Sequence, residues 1–316
     1  MSRLTIVVPA YNEAAVLEAF HARLSRVLNG LPMECSVLYV DDGSRDDTWS
    51  LIEDLTARDE RTGALKLSRN FGKEAALTAG LDHVDADAAV VIDADLQDPP
   101  ELIPSLVERW HEGYDVVYAT RTAREGETAF KRLTASLFYR SMERLSDTSV
   151  PRDTGDFRLL SRRALDALRQ LRERQRFMKG LFTWIGYRQT AVYYLREPRQ
   201  AGRTKWNYWR LTQLAIEGIT SFSTAPLRLA TWIGMLSSML AFLYGVWVFG
   251  KAMVYGDPVK GYPSLMVAIL FLGGLQLLAL GVIGEYLGRN YAESKQRPLY
   301  FIEERRAPRA KAHGPL

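Results

Sequence analysis

Two segments near the C-terminus contain no charged residue, and they constrain the fold of this chain more than any other feature. They are Leu229 to Gly250 and Pro263 to Gly284 in a sequence of 316 residues. Each is close to the ~20 apolar residues that an α-helix needs to cross a bilayer. A pair of buried core helices is the alternative. Two uncharged segments in tandem, joined by the short stretch 251–262, favour a transmembrane helical hairpin.

Lysine and arginine residues flank the predicted hairpin on both sides. Five lie between positions 199 and 228, seven lie between 289 and 311, and the connecting stretch contains only Lys251 and Lys260. Because cytoplasmic loops of membrane proteins are enriched in basic residues, both ends of the hairpin are expected in the cytoplasm. The sequence therefore predicts a multi-pass protein of the inner (plasma) membrane with its large domain in the cytoplasm.

The overall charge and the cysteine content exclude other classes of protein. A formal net charge of +4 is consistent with a protein that rests on an anionic membrane surface. The sequence has no zinc-binding spacing and no nucleic-acid-binding module, so a nucleic-acid partner is not expected. A single cysteine, Cys35, excludes an internal disulfide.

The residues before position 229 alternate between strand-like and helix-like segments. Apolar runs at 4–8, 36–40, 64–67, 88–93 and 114–119 are separated by segments with helical spacing. Strands and helices that alternate with short connections predict an α/β fold, in which a mostly parallel sheet has helices on both faces.

The fourth of these runs ends in Asp93-Ala94-Asp95. Side chains alternate along a strand, so Asp93 and Asp95 are expected to point the same way, and Gln97 extends this spacing. Two carboxylates at the carboxyl end of such a strand can hold a hard divalent cation, at the edge where α/β sheets bind ligands. The alternative is that acidic residues merely end the strand, because Asp-x-Asp is a short motif. Its place in a strand–helix series favours the metal.

Two further segments have the pattern of amphipathic helices. In the first, 131–145, Arg132 and Ser136 lie in a row with two more arginines. The second, 204–226, begins with Lys205 and three aromatic residues of the kind found at the level of lipid headgroups. Both are predicted to lie on the membrane surface, and a helix packed on the sheet is the alternative for the first.

Polar loops follow the first four strands, and together they are the most specific pattern in the sequence. All four open on one edge of one sheet, where a nucleotide is expected to bind. The loops are Pro9-Ala10-Tyr11-Asn12-Glu13, Asp41-Asp42-Gly43-Ser44, Arg69-Asn70-Phe71-Gly72-Lys73 and Asp93-Ala94-Asp95-Leu96-Gln97-Asp98-Pro99.

With these loops the chain resembles the inverting family 2 glycosyltransferases of GT-A fold. It is most similar to the polyprenyl-phosphate group, which contains dolichol-phosphate mannose synthase and the bacterial bactoprenol glucosyl transferases. The resemblance covers nearly the whole chain and includes GDFRL at 155–159, RQAGRTKW at 199–206, the hairpin and GEYLGR at 284–289. The family more often has serine where Thr204 stands, which keeps the hydroxyl. The hairpin fits the bacterial glucosyl branch better.

The resemblance implies a division of the chain and roles for individual residues. The parts are a GT-A domain at 1–203, an interfacial helix at 204–226, a transmembrane hairpin at 227–288 and a basic cytoplasmic tail at 289–316. The nucleotide sugar would be bound by Pro9, Tyr11, Glu13, Asp42, Lys73 and Asp93. Mg²⁺ or Mn²⁺ would be bound by Asp93, Asp95 and Gln97. The lipid phosphate would be bound by Arg132, Ser136, Arg203 and Lys205, with Arg121 contacting donor and acceptor phosphates. Arg121, Asp95 and Asp156 would form the catalytic set.

Asp156 is the candidate general base, because it lies in a segment that is otherwise rich in basic residues. The expected nucleophile is a phosphate, which is already anionic near neutral pH. Asp156 can therefore serve to orient the acceptor or to balance charge instead, and the sequence leaves both roles open.

The resulting expectation is an enzyme that transfers one sugar, with inversion, to undecaprenyl phosphate at the cytoplasmic face of the membrane. UDP-glucose is the expected donor, and the alternatives are GDP-mannose, an amino sugar or a modified arabinose. The family resemblance also implies a homotetramer. A processive polysaccharide synthase is a further alternative, but the Gln-x-x-Arg-Trp motif of that class is missing from the sequence. A membrane scaffold without activity is disfavoured by the intact Asp93 and Asp95.

Overall fold

A computed structural model describes residues 2–121, 154–174, 176, 178–194, 225–255 and 261–308 of the chain. These residues belong to two units. The first contains a β-sheet with its surrounding helices, and the second contains two long helices near the C-terminus.

The first unit contains one sheet of eight strands. The strands are β1 (Arg3–Ala10), β2 (Glu34–Asp41), β3 (Thr62–Leu67), β4 (Ala88–Val91), β5 (Val116–Arg121), β6 (Thr154–Ser161), β7 (Gln189–Tyr194) and β8 (Ile302–Arg306). The helices are α1 (Ala14–Asn29), α2 (Thr48–Arg58), α3 (Lys73–Asp82), α4 (Ile103–His111) after a 3₁₀ turn at Pro100–Leu102, α5 (Arg162–Gln170) and α6 (Met178–Trp184).

The order of the strands is β7-β5-β6-β4-β1-β2-β3-β8. The four strands β4, β1, β2 and β3 are parallel neighbours, and β5 is parallel to β7. Only β6 and β8 run against the others within this sheet of described residues. The expected α/β fold with a mostly parallel sheet is therefore confirmed.

Alternation of strands and helices explains why the centre of this sheet is buried on both faces. In β1, every residue after Arg3 is buried. Helix α3 lies close to the sheet at Gly80, where a Cβ atom would stand 2.3 Å from Cγ1 of Val7. Any larger residue at this position would push α3 away from β1. Close packing of α3 matters because its first residue, Lys73, lies at the edge of the sheet.

The sequence placed the end of β4 two residues too late. The strand ends at Val91 and not at Asp93, so Asp93 and Asp95 lie in the loop that follows. Leu96 in this loop has a φ of 59°, which no regular strand would contain. Burial still alternates through the loop, and Asp93, Asp95 and Gln97 are all half-buried. The expectation that they share one side is compatible with this pattern.

Strand β6 enters the sheet between β4 and β5, antiparallel to both. Val91 pairs with Arg158. Because the strands are antiparallel, two residues forward from Val91 and two residues back from Arg158 bring Asp93 opposite Asp156. The pairing with β5 shifts, since Tyr118 faces Arg158 but Thr120 faces Thr154. Between these two pairs, the chain covers two residues on β5 but four residues on β6. A β-bulge therefore lies between Thr154 and Arg158, and Asp156 is in it.

Strand β8 belongs to the segment that the sequence analysis treated only as a basic tail. It pairs antiparallel with β3, from Ala64 and Arg306 to Leu67 and Ile302. Tyr300 donates a hydrogen bond to Oδ2 of Asp82 at 2.9 Å, at the end of α3. The chain after the second long helix is thus part of the first unit.

The second unit contains α7 (Ala225–Tyr255) and α8 (Tyr262–Ser294), which contact one another. Each contains a window that is long and apolar enough to cross a membrane, Ala230–Trp247 in α7 and Phe271–Ser294 in α8. Neither window is buried within the described residues, which argues against two core helices of a soluble domain. By length and composition, these are the two helices that the uncharged segments predict.

Candidate active site

A pocket of about 430 Å³ opens at the carboxyl ends of the four parallel strands. Every parallel strand ends at this edge, so the four polar loops meet there as the sequence predicts. The predicted residues in its wall are Pro9, Tyr11, Glu13, Asp42, Lys73, Asp93 and Asp95. Asn70 also lines the pocket and was not among the predicted residues.

The loops after β1 and β2 are held together by Asn12. Its amide oxygen accepts the Arg45 N–H at 2.8 Å, and its own N–H donates to Oγ of Ser44 at 3.0 Å. Asn12 has a φ of 54°, a left-handed conformation that asparagine tolerates better than most residues. Neighbouring Tyr11 has 40% of its surface exposed, so an aromatic face is available at the pocket.

Asp42 connects the loop after β2 to the loop before α3. Its two carboxylate oxygens accept the N–H groups of Phe71 and Gly72 at 2.7 and 2.9 Å. Burial raises the pKa of Asp42, and the two N–H groups oppose this shift. Gly43 is required beside it, because a Cβ atom there would stand 2.5 Å from the carbonyl carbon of Arg69. Asp42 therefore shapes the pocket wall as well as lining it.

Lys73 is the centre of the charged part of the site. Its Nζ donates to Oδ2 of Asp93 at 2.7 Å and to Oδ2 of Asp156 at 2.5 Å. The bulge in β6 places Asp156 at the amino end of an antiparallel strand, which is the same edge as the carboxyl end of β4. The Lys73 ammonium therefore connects Asp93, which was predicted to bind the metal and the nucleotide sugar, with Asp156, which was predicted to act on the acceptor.

Burial and mutual contact set the charges of these groups. Burial lowers the pKa of the Lys73 ammonium, but Asp93 and Asp156 more than offset it, so the pKa is raised. Burial also favours the neutral form of Asp156, yet Lys73 and Lys179 hold its pKa at about 2. For Asp93, burial dominates and raises the pKa. The neighbouring ammonium groups therefore favour the ionised form of Asp156.

The donor atoms around Asp93 fit a hard cation. Asp93, Asp95 and Gln97 offer carboxylate and amide oxygens, which are the ligands that Mg²⁺ and Mn²⁺ prefer. Asp93 already contacts a cationic group, the Lys73 ammonium. The N–H of Gln97 donates to Oδ1 of Asp95 at 3.1 Å, which fixes the turn between them. Among the described residues, no three His, Cys, Asp or Glu side chains converge, so protein carboxylates alone would not complete a metal site.

Comparisons with known protein families agree with this geometry. The sequence model of glycosyl transferase family 2 matches residues 5–169, and that of the GtrB C-terminal hairpin matches residues 225–289. This chain belongs to glycosyl transferase family 2. The predicted family, enzyme class and GT-A type of fold are thereby confirmed. The second match covers α7 and α8 together.

Similar proteins extend over the full length of this transferase. An uncharacterized glycosyltransferase of Synechocystis is 52% identical over 95% of each chain. A bactoprenol glucosyl transferase of Shigella phage SfV is 46% identical, over 95% of this chain and 98% of that one. A distant likeness exists to glucosyl-3-phosphoglycerate synthase of Mycobacterium tuberculosis, solved with Mn²⁺ and UDP. It has 22% identity over 69% of this chain and 78% of that chain, with a TM-score of 0.45.

Two charged residues of the transferase, neither of which lines the pocket, have no role predicted from the sequence. Glu74 follows Lys73, and its Oε2 accepts the Met178 N–H at 3.2 Å. Burial, together with the charge of Asp156, raises the pKa of Glu74 to about 7. Arg158 lies two residues after Asp156 and is 4% exposed. The spacing of two residues between Asp156 and Arg158 was the sequence signal that could have identified Arg158, because residues two apart in a strand have side chains on the same face.

Several predicted residues have no described environment. Arg121 is the last residue of β5 and pairs with Tyr194 of β7, so its backbone is near the same edge. The amphipathic segments 131–145 and 204–226 lie outside the described residues, as do Arg132, Ser136, Arg203 and Lys205. Their roles stay predictions.

Proposed function

We propose that the transferase moves glucose from UDP-glucose to undecaprenyl phosphate at the cytoplasmic face of the inner membrane, with inversion at the anomeric carbon. The full-length similarity to a bactoprenol glucosyl transferase supports this donor and acceptor. The matched hairpin supports an acceptor that is itself embedded in the membrane. The product would be a polyprenyl-phosphate glucose.

The main structural support is the contact of Lys73 with both Asp93 and Asp156 at the wall of the pocket. Asp93 belongs to the loop predicted to bind the diphosphate, and Asp156 belongs to β6, on the other side of β4. Donor and acceptor would therefore meet above Lys73. A site between these two carboxylates can bring two anionic substrates together only if cations neutralise them.

The nucleotide would lie over the loops of β1 to β3. Tyr11 offers an exposed aromatic ring on which a base could stack, and Pro9 and Glu13 line the same wall. Asp42 has both oxygens engaged by backbone N–H groups, so its support for the ribose would come mainly from the shape of the loop. Asp93, Asp95 and Gln97 would hold Mg²⁺ or Mn²⁺, which when bound neutralises charge on the departing diphosphate.

In the transfer itself, an oxygen of the acceptor phosphate attacks the anomeric carbon as the bond from that carbon to the diphosphate breaks. The electron pair of the broken bond leaves with UDP. A carboxylate whose pKa is about 2 is a weak base, so Asp156 would orient the acceptor and balance charge instead of removing a proton. The rate would come from placing the two anions in line and stabilising the leaving group.

The acceptor phosphate would be bound by arginine and lysine side chains from the segments near the membrane. Arginine matches phosphate oxygens with two parallel hydrogen bonds, and lysine adds a point charge. Arg121 at the end of β5 would contact both phosphates. The remaining candidates are Arg132, Ser136, Arg203 and Lys205.

The transfer is tested by incubating membranes that contain the protein with labelled UDP-glucose, GDP-mannose, an amino-sugar nucleotide or a modified arabinose donor. We expect glucose in the lipid fraction, released by mild acid as expected for a sugar phosphate. Label from a different donor alone would refute glucose while leaving the reaction type intact. No lipid-linked label from any donor would refute the proposed reaction.

The proposed topology places both ends of the hairpin in the cytoplasm. After Cys35 is replaced by serine, Asp257→Cys should react with an impermeant thiol reagent in intact cells, and His313→Cys only after the membrane is opened. Labelling of the second variant in intact cells would refute the orientation. The homotetramer implied by the family resemblance also stays a prediction, tested by the mass of the detergent-solubilised protein.

A further inference from the structure

The β-bulge that contains Asp156 interrupts the regular pairing of β6 with β5. In a regular antiparallel ladder, successive carbonyls point to opposite sides and each meets an N–H of a neighbour. Here the pairing passes from Thr154 to Arg158 while β5 advances only from Thr120 to Tyr118. Where a ladder is interrupted in this way, side-chain donors can satisfy backbone carbonyl groups, and a buried carbonyl left unpaired would destabilise the fold.

Arg158 donates to two carbonyl groups of the bulge. Its Nη2 donates to the carbonyl oxygen of Gly155 at 2.8 Å, and its Nε donates to the carbonyl oxygen of Asp156 at 3.3 Å. These oxygens belong to the two peptide groups on either side of the Asp156 Cα. One guanidinium therefore restrains both backbone dihedral angles of Asp156, and through them the direction of its carboxylate.

The guanidinium itself is held in a closed environment. It is stacked on Phe182 of α6, with 3.9 Å between Cζ and the ring centre, and Phe182 is fully buried. Burial lowers the pKa of Arg158 to about 10, with Asp156 and Glu74 opposing the shift, so the group stays charged at neutral pH. An arginine buried in this way is costly and persists where its hydrogen bonds are used.

We propose that Arg158 is a positioning residue that acts through Asp156, holding the bulge in the shape that points the Asp156 carboxylate at Lys73 and the acceptor. The proposal rests on the proposed function. Within the described residues, Oδ1 of Asp156 is buried and has no hydrogen-bond partner, while Oδ2 contacts Lys73. Oδ2 is the oxygen whose direction the bulge sets, because it is the one that meets the Lys73 ammonium.

The test is a double-mutant cycle on the full chain in membranes, with Arg158→Met, Asp156→Asn and the pair. Single-turnover glucosyl transfer and UDP affinity are measured for each. We expect Arg158→Met to slow transfer on the order of 10²-fold, as displacement of a reacting group does, with UDP affinity unchanged. In the Asp156→Asn background, the same substitution should change the rate less than about threefold, because the group it positions is already lost.

Arg163→Met is the matched control. Arg163 also stacks on an aromatic ring, with 4.5 Å from Cζ to the centre of Tyr187, and it forms an ion pair with Asp115, but it contacts no bulge carbonyl. It should transfer like the wild type. Arg158→Lys, which keeps the charge but not the forked geometry, should stay as impaired as Arg158→Met. If the Arg158→Met protein does not accumulate in membranes, the double-mutant cycle is measured with Arg158→Lys and Asp156→Asn, with the same coupling expected.

Additive effects of Arg158→Met and Asp156→Asn would overturn the proposal, as would full activity of Arg158→Met or restoration by lysine. These outcomes differ from a failure of the proposed function. If the proposed function is wrong, the wild type transfers no sugar to lipid in this assay. If only the positioning role of Arg158 is wrong, the wild type transfers sugar but the double-mutant cycle shows no coupling between Arg158 and Asp156.

Discussion

The nucleotide side of the site, which lines the pocket, and the Asp156 side, which reaches the pocket through Lys73, are built in different ways. On the nucleotide side, four parallel strands end at one edge, and each contributes the loop that directly follows it. On the other side, β6 runs antiparallel and contributes a bulge within the strand. The loops are connected to one another by hydrogen bonds such as Asn12 to Arg45, whereas the bulge is supported by one buried side chain, Arg158.

This difference implies a division of labour. The sheet fixes a loop after a parallel strand only at its ends, and the rest of the loop depends on loop-to-loop hydrogen bonds such as that of Asn12 with Arg45. A bulge between two strands is fixed at both ends, so its carboxylate has a preset direction. Substitutions on the first side should therefore alter nucleotide and metal binding, and substitutions on β6 should alter the transfer step. Four predictions test this comparison.

The largest effect is expected for Asp95→Asn on the nucleotide side. Removing a carboxylate from the predicted metal site should reduce transfer by at least ~10³-fold, because the departing diphosphate loses its counter-charge. Calorimetry should show weaker Mn²⁺-dependent binding of UDP. Excess chelator should have the same effect on the wild type.

The control for this prediction is Asp85→Asn. Asp85 has 79% of its side chain exposed and pairs with Arg3 and Arg162 at the opposite end of the sheet. That variant should be fully active. Full activity of the wild type in excess chelator would exclude the metal site at Asp93 and Asp95.

Asp156→Asn should produce the next largest effect, on the transfer step alone. We expect single-turnover transfer to fall on the order of 10²-fold, with the affinity for UDP retained. Because a phosphate monoester has its second ionisation near pH ~6, the loss should be constant from pH ~7 upwards. A general base would instead give a variant that recovers as the pH rises, and such recovery would contradict the orienting role.

The structure of the nucleotide side was also easier to predict from the sequence than that of the Asp156 side. Each of its motifs follows its own strand, so the alternation of strands and helices suffices to bring Tyr11, Asp42, Lys73 and Asp93 to one edge. The prediction missed the end of β4, since Asp93 continues the burial pattern of the strand although its backbone has left the ladder.

The antiparallel strands could not be predicted from local pattern. Nothing in the sequence around Asp156 indicates that β6 inserts between β4 and β5, because this pairing depends on residues distant in the chain. β8 was missed for a second reason, because Ile302–Arg306 is rich in charge and has the composition of an exposed tail. The contact of Lys73 with Asp156 and the hydrogen bonds from Arg158 to the bulge both depend on the insertion of β6 between β4 and β5. Neither could therefore be predicted from the sequence.

Glu74 accepts the Met178 N–H of α6 and is not among the residues that line the pocket, so its titration should affect stability more than catalysis. Its pKa is raised from 4.5 to about 7 by burial and by Asp156. The stabilisation from the protonated form is complete below pH 4.5 and is lost as the pH rises through about 7. Glu74→Gln resembles the protonated form and can still accept the Met178 N–H. The variant should therefore melt a few degrees above the wild type at pH ~8 and equal it at pH ~4.

Glu112→Gln is the control for this pH dependence, because Glu112 is exposed and pairs only at the surface with Arg109. Its melting temperature should follow that of the wild type at both pH values. A constant difference between Glu74→Gln and the wild type across this range would show that Glu74 does not titrate there.

The smallest effect is expected for Phe301→Ala, where β8 meets the nucleotide side. The carbonyl of Phe301 accepts the Ser68 N–H at 3.0 Å, and its ring lies 6.3 Å from that of Phe71, whose N–H is bound by Asp42. Phe301 is 56% exposed, so only a modest contact is lost. An aromatic pair contributes about 0.5–1.5 kcal/mol, which corresponds to a rise of roughly 2–10-fold in KM for the nucleotide sugar. The kcat should not change, because the bulge in β6 is untouched. Glu303→Ala, which removes an ion pair with Lys66 from the same segment, should leave both constants near their wild-type values. A fall in kcat with unchanged KM for Phe301→Ala would contradict the separation of the two sides, since β8 would then influence the transfer step.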